Sequence, residues 1–145
     1  MKGWLLDTDI LSAFVPGKPG IPQSTAAWFD DQTERLCLST ITAAEIEAGI
    51  AKLFRVSAAL RGNALRVWFD HILAIYADSV PSFDLAAAKL AGALSDAARS
   101  AGRHPGFGDI AIAAIAKARE LVVVTLNQRH FDPLGVEMFN PFVPH

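Results

Sequence analysis

The sequence predicts an α/β domain whose mostly parallel central sheet is flanked by helices. Short apolar runs typical of buried strands alternate along the chain with longer segments in which apolar residues recur at helical spacing, and this alternation is typical of a parallel sheet. The run LVVVT at residues 121–125 is β-branched and almost wholly apolar, as in a strand buried on both faces. The 145 residues suffice for one domain, residues 1–145, with a sizeable core.

The composition is that of a soluble globular protein, with 52% apolar residues, 19% charged residues and a net charge of −2. No apolar run reaches the roughly 20 residues that a membrane span needs, and the N-terminus lacks the cleavage pattern of a signal peptide. The single cysteine, Cys37, excludes an internal disulfide and suits a reducing compartment. We therefore expect a cytoplasmic protein without membrane contact.

The chain begins with an apolar run from Trp4 that leads to Asp7, Thr8 and Asp9. This run predicts a buried strand that carries two carboxylates to the edge of the sheet, where parallel α/β sheets place their sites. A short helix is predicted over Ile10–Phe14, because proline and glycine follow it at once.

Two further elements complete the first third of the chain. Ser24 or Thr25 can cap a helix that runs to about Gln32. The run LCLS at residues 36–39 predicts a short buried strand.

Glu45 is placed near the start of the next helix. Apolar residues at helical spacing predict a helix over Ala43–Phe54, with Thr40 or Thr42 as its cap. The helix dipole favours a glutamate in the first turn of a helix, so Glu45 taken alone needs no functional explanation.

The second half of the chain repeats the alternation of helix and strand. Helices are predicted over Ser57–Tyr76 and from a cap at Ser82 or Asp84. A glycine-rich loop over residues 101–108 ends at Asp109, which we place at the N-cap of an apolar helix. After the strand at 121–125, a last short strand is predicted over Gly135–Phe139.

Polar side chains therefore gather at one end of the predicted sheet. These residues are Asp7, Asp9, Glu45, Asp109, Thr125 and Asn127. Clustered carboxylates raise one another's pKa, and a hard divalent cation such as Mg²⁺ or Mn²⁺ relieves that repulsion. Magnesium bound in this way keeps several waters, one of which can attack a phosphodiester. Zinc is disfavoured, because the lone cysteine and the scattered histidines lack ligand spacing.

Four segments in order give the chain a family resemblance. LLDTDIL, TAAEIEAGI, GDIAIAAIA and VVVTLNQRHF resemble the PIN-domain nucleases, above all the VapC-type toxins of bacterial toxin–antitoxin pairs. The ending VEMFNPF is similar to the FitB-like branch of that group. The resemblance covers roughly residues 3–142, and it implies a single PIN-like domain.

The resemblance assigns roles to the clustered polar residues. It implies that Asp7, Glu45 and Asp109 bind Mg²⁺ or Mn²⁺ and position the attacking water. The fourth position is Asn127, where many family members have aspartate; its amide can still bind the metal or hold a water, but it adds no charge.

Three neighbours of these residues are candidate helpers. Thr8 and Thr125 would use a hydroxyl or backbone group near the site. Asp9 is commonly asparagine in the family, so its extra charge either assists metal binding or caps the short helix, and we favour capping.

The implied activity is a metal-dependent endoribonuclease that stops growth by cutting an essential RNA. The implied partners are a second copy of the chain in a homodimer and a cognate antitoxin. A stretch without acids, residues 48–69, is a candidate RNA path, although by itself the stretch is explained better as a solvated helix face. The candidates for RNA contact are Lys52, Arg55, Arg61, Arg66, Arg99, Arg103 and His104.

Two alternatives from other classes stay open. A strand followed by Asp-x-Asp also opens the haloacid-dehalogenase phosphatases, in which the first aspartate is a nucleophile. That class needs a later lysine and a paired acidic motif, and the surroundings of Lys89 and Lys117 do not match it. The second alternative is a catalytically weak binding module on the nuclease scaffold, which Asn127 motivates.

Overall fold

The centre of the protein is a sheet of four parallel strands. The structure, a computed structural model, describes residues 2–144. The strands are β1 (Trp4–Leu6), β2 (Leu36–Leu38), β3 (Val122–Val124) and β4 (Met138–Phe139). Their order is β2-β1-β3-β4, and every pairing is parallel. The predicted α/β class with a parallel sheet is confirmed.

Helices connect the strands and cover both faces of the sheet. They are α1 (Thr8–Ser12), α2 (Gln23–Gln32), α3 (Thr40–Arg55), α4 (Ala59–Ile75), α5 (Leu85–Ser100), α6 (Phe107–Arg119) and α7 (Gln128–Phe131). Short 3₁₀ turns occupy Thr33–Arg35 and Asp132–Leu134. Within residues 2–144, no helix is both long enough and apolar enough to cross a bilayer.

The two faces of the central strands pack into two separate hydrophobic cores. Leu5 and Val123 pack with apolar residues of α5 and α6 on one face, whereas Leu6 and Val124 pack with residues of α1 to α4 on the other. Leu5 pairs with Val123 and Leu6 with Val124 in the β1–β3 register. Because successive side chains of a strand point to opposite faces, both faces of β1 and β3 are buried.

The helix after β1 begins earlier than the sequence predicted. It spans Thr8–Ser12 rather than Ile10–Phe14, because the side chain of Asp7 accepts a hydrogen bond from the backbone N–H of Thr8 at 2.8 Å. Asp7, not Asp9, is therefore the N-cap. The helix starts immediately at the end of the strand, which fixes the first carboxylate against the sheet.

The caps of α3 and α6 also differ from the predictions. Ser39 caps α3, since its hydroxyl accepts the N–H of Thr42 at 3.2 Å, and the helix begins at Thr40 rather than Ala43. Glu45 consequently lies in the second turn of α3. Helix α6 begins at Phe107 after Gly106, so Asp109 lies in the first turn and is not the N-cap. Asp84 caps α5, which confirms one of the two caps predicted for this helix.

The predicted cap of α2 and the predicted start of the last strand were also wrong. Pro22 precedes α2, and Thr25 donates its hydroxyl to the carbonyl of Pro141 instead of capping the helix. The last strand is confined to Met138–Phe139, because Gly135 adopts φ 63° at the end of a 3₁₀ turn. Such a left-handed conformation favours glycine and breaks a strand.

Candidate active site

Asp7 is the innermost acid at the carboxyl edge of the sheet. It follows β1 directly, and its side chain is 7% exposed. One carboxylate oxygen accepts the Thr8 N–H at 2.8 Å, and the other accepts the hydroxyl of Thr125 at 2.9 Å. Thr125 follows β3, the strand paired with β1. The two central strands of the sheet thus fix the orientation of this carboxylate.

Burial makes Asp7 an unusual carboxyl group. The pKa of Asp7 rises from 3.8 to about 7, chiefly because burial removes water from the charged form and then because Asp9 lies close by. The hydrogen bonds from Thr125 and Thr8 oppose this rise without cancelling it. An ionised Asp7 is therefore costly without a cation beside it.

Asp9 joins the loop after β3 to the start of α1. Its Oδ2 accepts hydrogen bonds from the Thr125 hydroxyl at 3.3 Å, the Leu126 N–H at 3.1 Å and the Asn127 side-chain amide at 2.8 Å. The favoured prediction that Asp9 caps the short helix is wrong, because Asp7 holds that position. The other oxygen, Oδ1, is buried and accepts no hydrogen bond from any described residue. That oxygen has an unused capacity to bind a cation or a water.

Asp9 and Asn127 form one acid–amide pair. The resemblance implied the opposite arrangement, with the amide at position 9 and the acid at position 127. Since the two side chains are hydrogen-bonded at 2.8 Å, the pair keeps one negative charge whichever position carries it. The amide of Asn127 therefore does not leave the cluster short of a charge.

Glu45 reaches the site from α3 through a chain of hydroxyl groups. Its Oε1 accepts the Thr8 hydroxyl at 2.6 Å, and the Thr42 hydroxyl lies 3.0 Å from that of Thr8. A Cβ at Gly108 would lie 3.0 Å from Oε2 of Glu45. Glycine at this position therefore lets α6 approach the carboxylate, which the sequence interpretation missed.

Asp109 completes the cluster from the first turn of α6. Burial raises its pKa most, and the nearby charges of Glu45 and Asp9 raise it further. His130 Nδ1 lies 3.3 Å from its Oδ2, and this contact acts in the opposite direction. The sequence interpretation missed His130, because it considered this histidine only as a candidate zinc ligand.

The donor set suits a hard cation rather than zinc. The four acids are Asp7, Asp9, Glu45 and Asp109, and their charges and burial raise the pKa of Asp7 and Asp109. Within residues 2–144, no three His, Cys, Asp or Glu side chains converge closely enough to surround one ion. Magnesium commonly uses one or two carboxylates and completes its shell with water. The carboxylates and the free Asp9 oxygen fit that kind of binding.

The predicted RNA-contact residues are divided between two places. Lys52, Arg55 and Arg61 are exposed on α3 and α4, as the solvated-face alternative also expects. Arg66 forms ion pairs with Glu47 and, at 3.2 Å, with Asp70. Of the remaining candidates, Arg99 is exposed in the last turn of α5, whereas Arg103 and His104 line a cleft of about 430 Å³ beside Asp109.

Comparisons with known proteins agree with this architecture. Residues 4–135 match the sequence profile of the PIN domain family. The chain is 32% identical over 146 residues to VapC ribonuclease Y4jK of Sinorhizobium fredii, covering 97% of this chain and 98% of that protein. It is 31% identical over 140 residues to toxin FitB of Neisseria gonorrhoeae, covering 95% of this chain and 97% of that protein.

A solved complex has the same fold. The crystal structure of DNA-bound VapBC from Salmonella typhimurium superposes on this structure with a TM-score of 0.82 at 27% identity. The match covers 97% of this chain and 99% of that one. The likeness therefore extends over nearly the whole fold.

Proposed function

The chain belongs to the PIN domain family, and we propose that it is a metal-dependent endoribonuclease toxin of the VapC type, close to the FitB-like branch. The observation that carries the proposal is the burial of Asp7 among other acids. Its pKa of about 7 indicates that the ionised carboxylate is costly unless a cation lies beside it. The likeness to a VapC ribonuclease and to toxin FitB supports the same activity.

We assign the cation site to Asp7, Glu45 and Asp109, with Mg²⁺ or Mn²⁺ as the metal. One or two of these carboxylates would bind the ion directly and the others through its waters, since among residues 2–144 no three acids converge on one point. A divalent cation bound there supplies Lewis acidity and neutralises charge at the scissile phosphate. Thr125 fixes Asp7 and Thr8 fixes Glu45 through their hydroxyl groups. Hydrolysis forms a bond between the water oxygen and phosphorus and breaks the bond to the leaving ribose oxygen, which takes up a proton.

Asp9 and Asn127 act together in this assignment. Asp9 supplies the fourth negative charge, and the amide of Asn127 holds its carboxylate in place at 2.8 Å. Since four acids remain at the site, a catalytic role fits better than a scaffold that only binds. The family match likewise gives no support to a haloacid-dehalogenase phosphatase.

The proposed partners are RNA as substrate, a cognate antitoxin and a second copy of the chain. The solved relative is a VapBC complex bound to DNA, which supports an antitoxin partner here. We propose a cytoplasmic location, which would supply both the RNA substrate and a reducing environment for Cys37.

Cleavage of total RNA tests the proposal. Purified protein with Mg²⁺ or Mn²⁺ should degrade RNA, whereas EDTA or the substitution Asp7→Ala should abolish cleavage. A phosphatase would instead hydrolyse p-nitrophenyl phosphate, and a binding module would do neither while still holding its antitoxin. Cleavage that survives EDTA, or that survives Asp7→Ala, would refute the proposed mechanism.

A further inference from the structure

A cationic cleft adjoins the acidic cluster at Asp109. The cleft measures about 430 Å³ and lies between the loop joining α5 to α6 and the short helix α7. Arg103 lines it from the loop and Arg129 from α7, while Asp109 and Asn127 line the side towards the acids. A ligand in this cleft therefore lies next to the proposed scissile position.

Both arginines of the cleft keep their charge available. Arg103 donates one hydrogen bond, at 3.3 Å, to the backbone carbonyl of Arg129, which tethers the two segments without neutralising either guanidinium. Within residues 2–144, neither guanidinium forms an ion pair with a carboxylate. Both side chains are exposed. An anion that enters the cleft meets two permanent positive charges.

The other candidate RNA path is electrostatically weaker near the site. On α3 and α4, Arg66 is committed to Glu47 and Asp70, and these contacts stabilise its charged form. Lys52 lies seven residues beyond Glu45 on α3, which corresponds to about 10 Å along a helix. In the cleft, by contrast, two arginines share one lining with Asp109, an acid of the cluster.

The lining of the cleft favours a phosphate over a base. The nine described residues that line it are arginine, histidine, proline, glycine, asparagine and aspartate, and none is a Phe, Tyr or Trp. Phe, Tyr and Trp are the usual stacking platforms for the bases of single-stranded nucleic acid, and only the rings of His104 and His130 could take that role here. Guanidinium groups instead match the geometry of phosphate oxygens.

We propose that Arg103 and Arg129 bind the RNA phosphate adjacent to the scissile one, so that the substrate crosses the α5–α6 loop and α7. This inference rests on the proposed nuclease function. The contact is to the sugar-phosphate backbone, so it contributes affinity without selecting a base.

Binding of a short RNA tests this path directly. The protein carries Asp7→Asn to prevent cleavage, and the probes are fluorescein-labelled 12-nucleotide oligo(U) and oligo(A) RNA, measured by anisotropy from 50 to 200 mM NaCl. Arg103→Gln with Arg129→Gln should weaken binding of both probes about tenfold and reduce the salt slope by about 0.7, the value for one lost phosphate contact.

A charge-matched control separates the cleft from the helical run. Lys52→Gln with Arg55→Gln removes the same charge from exposed positions on α3 and should change the affinity less than about twofold. Arg103→Lys with Arg129→Lys should retain the salt slope, because the positive charges remain. These exposed residues can be replaced without opening the core, and circular dichroism checks the fold.

The outcomes distinguish this inference from the proposed function. If the protein with Asp7 intact cleaves RNA, and the double glutamine variant of the cleft keeps its KM and its salt slope, the substrate path is refuted while the nuclease stands. A loss confined to the Lys52 and Arg55 variant would also refute it. If the unsubstituted protein neither binds nor cleaves RNA, both proposals fail.

Discussion

Replacing Asp7 by asparagine should stabilise the metal-free protein at alkaline pH. The folded protein binds the Asp7 proton more tightly than the unfolded chain, since the pKa rises from 3.8 to about 7. The cost of ionising Asp7 is therefore absent below about pH 4, grows between about pH 4 and 7, and is complete above it. The difference between these pKa values corresponds to a free energy of unfolding lowered by about 4 kcal/mol at most.

Asparagine fits the same place without that cost. Its carbonyl oxygen can accept the Thr8 N–H, and asparagine is as good a helix cap as aspartate. The Thr125 hydroxyl can then accept from the new amide and donate to Asp9, from which it lies 3.3 Å away. The exchange keeps both hydrogen-bond partners of the Asp7 side chain, so the gain in stability should approach the cost that ionised Asp7 imposes.

Thermal unfolding in EDTA measures the effect. At pH 8, Asp7→Asn should raise Tm by up to about 13 °C, because a chain of 145 residues gains about 3 °C for each kcal/mol, and the difference from wild type should vanish near pH 4. Asp96→Asn is the control, since Asp96 is exposed in the middle of α5 and its replacement should change stability by less than about 0.5 kcal/mol. An equal or lower Tm for Asp7→Asn at pH 8 would refute the argument that ionised Asp7 is destabilising.

Three further predictions follow from the same geometry. Gly108→Ala should leave Tm unchanged or higher yet lower RNA cleavage at least tenfold, because the new Cβ would lie 3.0 Å from Oε2 of Glu45. The control Gly92→Ala, with open space around the new Cβ, should keep full activity. Asp9→Asn should weaken Mn²⁺ binding in calorimetry, and adding Asn127→Asp to this variant should restore the binding. Asn127→Asp alone should lower Tm in EDTA, since two carboxylates would then meet where the Asp9 and Asn127 side chains are 2.8 Å apart. The apparent Mn²⁺ affinity of the wild type should fall about tenfold per pH unit below 7, because one proton competes for the Asp7 site; a pH-independent affinity would contradict this.

The sequence was sufficient to predict the layout of the fold. Alternating strand and helix patterns predicted the parallel sheet, and the strand leading to Asp7 located the edge at which the acids meet. Strand ends in a parallel sheet converge by geometry, so residues far apart in sequence could be grouped before any contact was known.

The polar contacts within the site could not be predicted in the same way. Asp9 and Asn127 are 118 residues apart, and no local pattern shows that their side chains are hydrogen-bonded. The cap of α3 was misplaced because Ser39, Thr40 and Thr42 all have hydroxyl groups suited to capping. Only Ser39 has the extended backbone, with φ −88° and ψ 163°, that a cap needs as the chain leaves β2.

The need for a metal and for Asp7 is tested most directly by cleavage of a labelled oligoribonucleotide at pH 8. Protein stripped with EDTA should not cut the RNA, and added Mn²⁺ should restore cleavage in the wild type. In Asp7→Asn, which we expect to be folded and more stable, the Mn²⁺-dependent rate should be at least about 100-fold lower. Cutting by the stripped protein, or an Asp7→Asn rate equal to that of the wild type, would contradict a metal-dependent nuclease site built on Asp7.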